Sequence, residues 1–99
     1  MEVKVDQKDN LVTLIVEGRV DTTTAPDLEK SIQDNCKEDT NLVLDFTAVE
    51  YISSAALRVL LSTTKRLKEK GSMVIKNPND VVMEIFEVTG FLDILTIER

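Results

Sequence analysis

The feature that most constrains this chain is where its hydrophobic period changes. Residues 2–7, EVKVDQ, put Val3 and Val5 on one face, the two-residue period of a half-buried strand. KDN at 8–10 supplies a turn, and LVTLIVEG at 11–18 follows, β-branched and apolar on both faces. Strand, short polar turn and strand predict an antiparallel hairpin. The period then lengthens. Leu28, Ile32 and Cys36 recur at helical spacing, with Thr24 as an expected N-cap, Pro26 in the first turn and Asp27 as a capping-box acid.

From there the two periods alternate. NLVLDF at 41–46 reads as a central strand, and TAVEYI as the connection that leaves it. Leu57, Leu60, Leu61, Thr64 and Leu67 form a helical stripe, with Arg58, Ser62, Lys65 and Glu69 on the solvated side and Gly71 as the stop. SMVIK at 72–76 is the next strand. In NPND, Asn77 is the expected cap of a third helix with Pro78 and Asp80 in its first turn; Val82, Ile85, Phe86 and Thr89 are its buried stripe and Gly90 its end. ILTI at 94–97 closes the chain as a strand. The order β-β-α-β-α-β-α-β implies an α/β fold with a mixed, mostly parallel sheet and an antiparallel hairpin at its amino end. With 99 residues and no linker or internal repeat, one domain over residues 1–99 is expected.

Composition narrows the chemistry. The chain has no histidine and a single cysteine, Cys36, which leaves out Ser-His-Asp and Cys-His nucleophiles, His-ligated zinc, CxxC chemistry and any internal disulfide. No enzyme activity, no cofactor and no metal site are expected. A net charge of −6 disfavours the phosphate backbone of nucleic acid. The basic cluster Lys65, Arg66, Lys68 and Lys70, interrupted by Glu69, suits the negative end of a helix dipole. Apolar runs are too short to span a membrane, and Met1-Glu2-Val3-Lys4 reads as strand and not as a leader, so a cytoplasmic protein is expected.

Within YISSAALRVLL, Ser53 and Ser54 stand between a strand and a helix. This is the carboxyl end of a central strand, where open α/β sheets present binding crevices. One serine is expected to be the N-cap and the other the first helical residue. Such a serine can simply cap, worth about 1 kcal/mol. It can also accept a phosphate, whose charge of about −1.5 to −2 the positive helix end tolerates. Ala55 and Ala56 behind it would let another protein approach closely.

LVLDFTAVEYISSAALRVLLSTTKRLKEKG resembles the core signature of STAS domains, the family of bacterial anti-sigma factor antagonists. VEGRVDTTTAPDLEKSI resembles the family's amino-terminal motif and VTGFLDILTI its carboxyl-terminal end, in the family's order. The resemblance implies a STAS fold and a non-enzymatic binding module. It implies an anti-sigma factor serine kinase as partner, whose capture frees a sigma factor. It also implies ATP-dependent phosphorylation of a serine at this helix start, which ends binding, and a serine/threonine phosphatase that reverses it. The common pattern is Asp-Ser-Ser/Thr-Gly-Leu; here Ser53 stands for the acid, Ser54 for the phosphorylated serine, Ala55 for the next hydroxyl and Ala56 for the glycine, and Leu57 matches. Ser53 is thus a second candidate acceptor. Asp21, Thr22, Thr23 and Thr24 match the loop that lies near the serine and contacts the kinase, and with Ser53, Ser54, Ala55, Ala56 and Arg58 they make the expected partner-binding set. A second role the family implies is that of a structural subunit in a lipid-transport or stress-sensing assembly. Asp45 superficially resembles a receiver-domain phosphoacceptor, but the element order differs, and local backbone N–H groups are its expected partners.

Overall fold

The computed structural model describes residues 1–99. The elements are β1 (Glu2–Lys8), β2 (Leu11–Val20), α1 (Ala25–Asn35), β3 (Asn41–Ile52), α2 (Ser54–Leu67), β4 (Ser72–Lys76), α3 (Asp80–Val88), a 3-10 turn (Phe91–Asp93) and β5 (Ile97–Glu98). The strands form one sheet in the order β1-β2-β3-β4-β5. β1 pairs antiparallel with β2, from Glu2↔Glu17 to Lys8↔Leu11, and every other pairing is parallel. The mixed sheet and hairpin expected from the periodicity are both present, and β3 is the middle strand.

Burial alternates along the sheet as the pleat requires. Val12, Leu14 and Val16 of β2, Leu42, Leu44 and Phe46 of β3, and Met73 and Ile75 of β4 are buried. They join Leu28 and Ile32 of α1, Leu57 and Leu60 of α2, and Val82 and Phe86 of α3 in one core cluster. The residues between them, Thr13, Ile15, Val43, Asp45 and Val74, lie on the other face and are partly exposed. At the edge, Val5 is exposed, because β1 extends past the apolar cover that buries its partner Leu14.

Several local expectations are corrected. TAVEYI is strand, not connection: β3 runs on to Ile52 and pairs with β2 as far as Val20, with register shifts between Ile15 and Glu17 and between Gly18 and Arg19. These bulges break the two-residue alternation that sequence periodicity depends on. The buried stripe of α2 includes Ala56, Val59 and Thr63, whereas Leu61 and Thr64 are only half-buried. That stripe is wide because the helix packs on both β3 and β4 and against α1. Thr89, expected inside, is exposed past the end of α3. ILTI contributes only Ile97 to a strand; Ile94 is exposed and Leu95 enters the core.

Gly71 has a different task from the expected C′ stop. The C-cap of α2 is Lys68 in right-handed conformation. A Cβ at Gly71 would lie 2.2 Å from the Thr40 carbonyl oxygen, so the missing side chain permits a close backbone crossing. Asn77 is not the cap of α3. It takes a left-handed conformation, φ 57°, to turn the chain after β4, and Asn79 caps instead, its side chain accepting from Val82 N at 2.8 Å. Gly90, φ 79°, follows α3 as expected.

Candidate functional site

The site is built by the last rung of the central ladder. Val20 and Ile52 are the final paired residues of β2 and β3, and the Ser53 N–H donates to the Val20 carbonyl at 2.9 Å. Beyond that bond the two chains part. One enters the turn Asp21–Thr24 and α1; the other enters α2 at Ser54. The structure therefore places the Asp21–Thr24 turn beside the serine pair at the carboxyl edge of two adjacent parallel strands. The strand order never reverses, so this edge carries no crevice of the kind expected there. The site is a surface, with a groove of about 590 Å³ between α1 and α2 lined by Thr22, Ala25, Pro26, Ala55, Arg58 and Val59 among others.

The two serines divide their work. Ser53 is the N-cap in extended conformation; it is half-buried, and its Oγ accepts a long bond, 3.5 Å, from Ala56 N. Ser54 is the first residue of the 14-residue α2 and is exposed. It opens the first turn, where helix amides lack helical partners and the positive end of the dipole lies, with no acidic residue in that turn.

The neighbouring turn is organised by Asp21. Its Oδ1 accepts from Thr23 Oγ1 at 2.7 Å, Thr23 N at 3.0 Å and Thr24 N at 3.1 Å. These bonds, the Thr23 hydroxyl foremost, hold the carboxyl below its ordinary range. Thr24 occupies the N-cap position of α1, but its side chain makes no capping bond there. Its Oγ1 instead accepts from Asp21 N at 2.9 Å and reaches the Arg19 carbonyl at 3.1 Å. The expected capping box with Asp27 is thus replaced by an aspartate-centred turn. Thr22 and Thr23 are exposed.

Of the other expected contact residues, Arg58 is exposed and Ala55 is half-buried in the groove. Ala56 is corrected: it is 1% exposed and belongs to the core, so no docked surface can touch it. Its methyl fills the space under the first turn of α2. Asp45 lies inside β3 at a bulge, not at a strand end, and its Oδ1 accepts from Thr47 N at 3.0 Å and Thr47 Oγ1 at 2.6 Å. Cys36 is buried, and burial pushes its thiol up. Arg66 donates to the Cys36 carbonyl at 2.6 Å, which uses one cation of the basic cluster inside the fold. No helix is long and apolar enough to cross a membrane.

Sequence reasoning passed over two residues that shape this end of the molecule. Arg19 lies over the Tyr51 ring, 4.7 Å from its centroid, at the bulged end of β2 and β3. Asn79 donates to the Val49 carbonyl at 3.1 Å and so ties α3 to the strand that leads into the serines. Each pair is distant in sequence, and no local pattern signals it.

The comparisons agree with this geometry. The STAS domain family model matches residues 2–99. BtrV of Bordetella bronchiseptica, named as a candidate anti-sigma factor antagonist, is 33% identical, covering 98% of this chain and 85% of that protein. The anti-sigma-B factor antagonist of Listeria monocytogenes is 31% identical, covering 100% and 88%. Among solved structures, an anti-sigma factor antagonist from Mycobacterium paratuberculosis superposes with TM-score 0.88 at 24% identity, covering 98% and 84%. The antagonist SpoIIAA in its unphosphorylated form superposes at 0.80 with 14% identity, covering 97% and 87%, and SpoIIAA has also been solved in the phosphorylated form. A five-stranded sheet opened by a hairpin, with a serine starting the helix after its middle strand, matched by these relatives across its length, makes the chain a member of the STAS domain family.

Proposed function

We propose that this protein is an anti-sigma factor antagonist whose hold on an anti-sigma factor serine kinase is ended by phosphorylation of Ser54. The observation that carries the proposal is the exposure of Ser54 at the first position of α2, beside the Asp21–Thr24 turn, while Ser53 faces inward as the cap. The names of the relatives support the antagonist role, and the two forms of SpoIIAA show that a protein of this fold carries a phosphate.

The chemistry is a transfer in trans. Ser54 Oγ bonds to the γ-phosphorus of ATP, the bond from that phosphorus to the β,γ-bridging oxygen breaks, ADP leaves, and the hydroxyl proton passes to a base of the kinase. The product adds about −1.5 to −2 charge at pH 7. The dipole of α2 stabilises that anion by roughly 0.3–1 kcal/mol, so the fold accepts it. A surface docked over Ser54 does not: an unpaired charge buried in an interface costs several kcal/mol. At about 1.4 kcal/mol per tenfold, that removes two or more decades of affinity. A serine/threonine phosphatase resets the switch by hydrolysing the ester.

Incubation with an anti-sigma factor serine kinase from the same organism and ATP, followed by peptide mass mapping, tests the proposal. One phosphate on Ser54 and loss of the complex are expected. An unmodified Ser54 in protein that still binds the kinase would leave a binding module without this switch. Exposed Val81, Val88 and Leu92 favour a second reading, that of an interaction subunit in a larger assembly. Self-association in light scattering that charged replacements at these three positions abolish would support it.

A further inference from the structure

Arg58 follows Ser54 by one helical turn. Residues four apart on an α-helix share a face, with Cβ atoms about 5–6 Å apart, and the favourable order places the anion amino-terminal to the cation. Ser54 and Arg58 meet both conditions, and both are exposed. Of the four arginines in the chain, Arg19 stacks on Tyr51, Arg66 bonds the Cys36 carbonyl and Arg99 pairs with Asp80 at 2.7 Å. Arg58 makes no hydrogen bond or ion pair. Charged groups facing it across the groove are Glu29 and Lys30 of α1, and the Glu29 carboxylate takes the Gln33 amide at 3.3 Å. The nearest carboxylate of the neighbouring turn, Asp21, is occupied by Thr23 and Thr24.

We infer that Arg58 is the built-in counter-ion of a phosphate on Ser54. In the unmodified protein its guanidinium stands free at the mouth of the α1–α2 groove, a cation offered to whatever docks there. Once Ser54 carries a phosphate, the planar fork of Arg58 turns back along α2 and takes phosphate oxygens. Modification then changes the docking face twice, by adding a dianion and by withdrawing a cation. The inference rests on the proposed switch for its biological use, but the pairing itself is a property of the helix.

The test therefore installs phosphoserine at position 54 during synthesis, by an expanded genetic code, so that no kinase is needed. Phosphorus NMR titration reads the second ionisation of the phosphate in the otherwise wild-type chain and with Arg58→Ala or Arg58→Lys. Arg58→Ala is expected to raise that pKa by about half a unit, since loss of a charge-assisted partner disfavours the dianion, and Arg58→Lys by less. Phosphoserine at position 53, five residues from Arg58 and off its face, is expected not to respond. Equal values with and without Arg58 at position 54 would overturn the inference, as would equal responses at positions 53 and 54. Failure of a kinase to label Ser54 would sink the switch and leave the pairing standing.

Discussion

The Ser53 amide and the Val20 carbonyl, 2.9 Å apart, are the bond at which the central strands end and the two candidate contact loops begin. It fixes Ser53 as the cap and turns the next side chain outward. Ser53→Ala and Ser54→Ala should therefore separate stability from signalling. Ser53→Ala removes the cap and is expected to cost about 0.5–1 kcal/mol, at the low end for caps because the bond is long. Ser54→Ala is expected to leave thermal stability unchanged within error and to abolish phosphate uptake. Differential scanning calorimetry and phosphate mapping of both variants distinguish the two roles.

Ser54→Asp carries one negative charge to the same place. It is expected to fold normally, with a melting temperature at or slightly above wild type, because an acid at the start of a helix is favourable. Its affinity for the kinase is expected to fall tenfold or more in isothermal titration. Wild-type affinity in this variant would count against a charge-gated surface.

Much of this arrangement was legible in the sequence, and the misses have physical causes. Element order follows from period changes that span many residues, so it survives local error. The position of the serines follows from that order. Which serine caps depends on a one-residue boundary, and only the coordinates resolve it. TAVEYI was unreadable as strand because two bulges space Phe46, Val49 and Ile52 three apart on the buried face. NPND offers two asparagines before a helix, and the choice between them depends on a left-handed turn at Asn77 that the pattern cannot show. The groove between α1 and α2, and the unpaired state of Arg58 within it, depend on packing between distant segments.

Gly71 and Gly90 provide a contrast in how glycine is used. At Gly71 a Cβ would meet the Thr40 carbonyl at 2.2 Å, and the obstacle is backbone. Gly71→Ala must displace the crossing between the α2–β4 and α1–β3 connections, an overpacking expected to cost about 2–3 kcal/mol. At Gly90 a Cβ would meet nothing within 4 Å, but φ is 79°. Gly90→Ala is expected to cost about 1–2 kcal/mol from the left-handed backbone alone. Urea unfolding should rank the two in that order.

Asn77 and Asn79 make a matched pair. Asn79→Ala loses the bond to Val82 N and the tie to the Val49 carbonyl, and is expected to destabilise by about 1–2 kcal/mol. Asn77→Gly relieves a left-handed residue but gives up the amide's 3.2 Å bond to exposed Thr47, and is expected to be close to neutral. An Asn77 variant as damaging as Asn79→Ala would return the cap to the position that sequence alone favours.

Asp21 sets an acid limit on the docking edge. Its carboxyl is held below the ordinary 3.8 by the Thr23 hydroxyl, the Thr24 and Thr23 amides and the Thr24 hydroxyl. A folded pKa below the unfolded one means the charged form is favoured by folding. The contribution is therefore full above the unfolded value and disappears as pH falls through the folded one. Protonation removes the charge on the acceptor of four bonds, and the Asp21–Thr24 turn is expected to loosen below about pH 4 before the core does, because the donors of those bonds, Thr23 and Thr24, lie outside the core. Asp21→Asn should reproduce the loosened turn at neutral pH. Amide exchange of Thr23 and Thr24 as a function of pH reads the transition: protection lost in acid in the wild type, and already reduced at pH 7 in Asp21→Asn, is expected. Protection that is unchanged in Asp21→Asn would show that the turn stands without the charge.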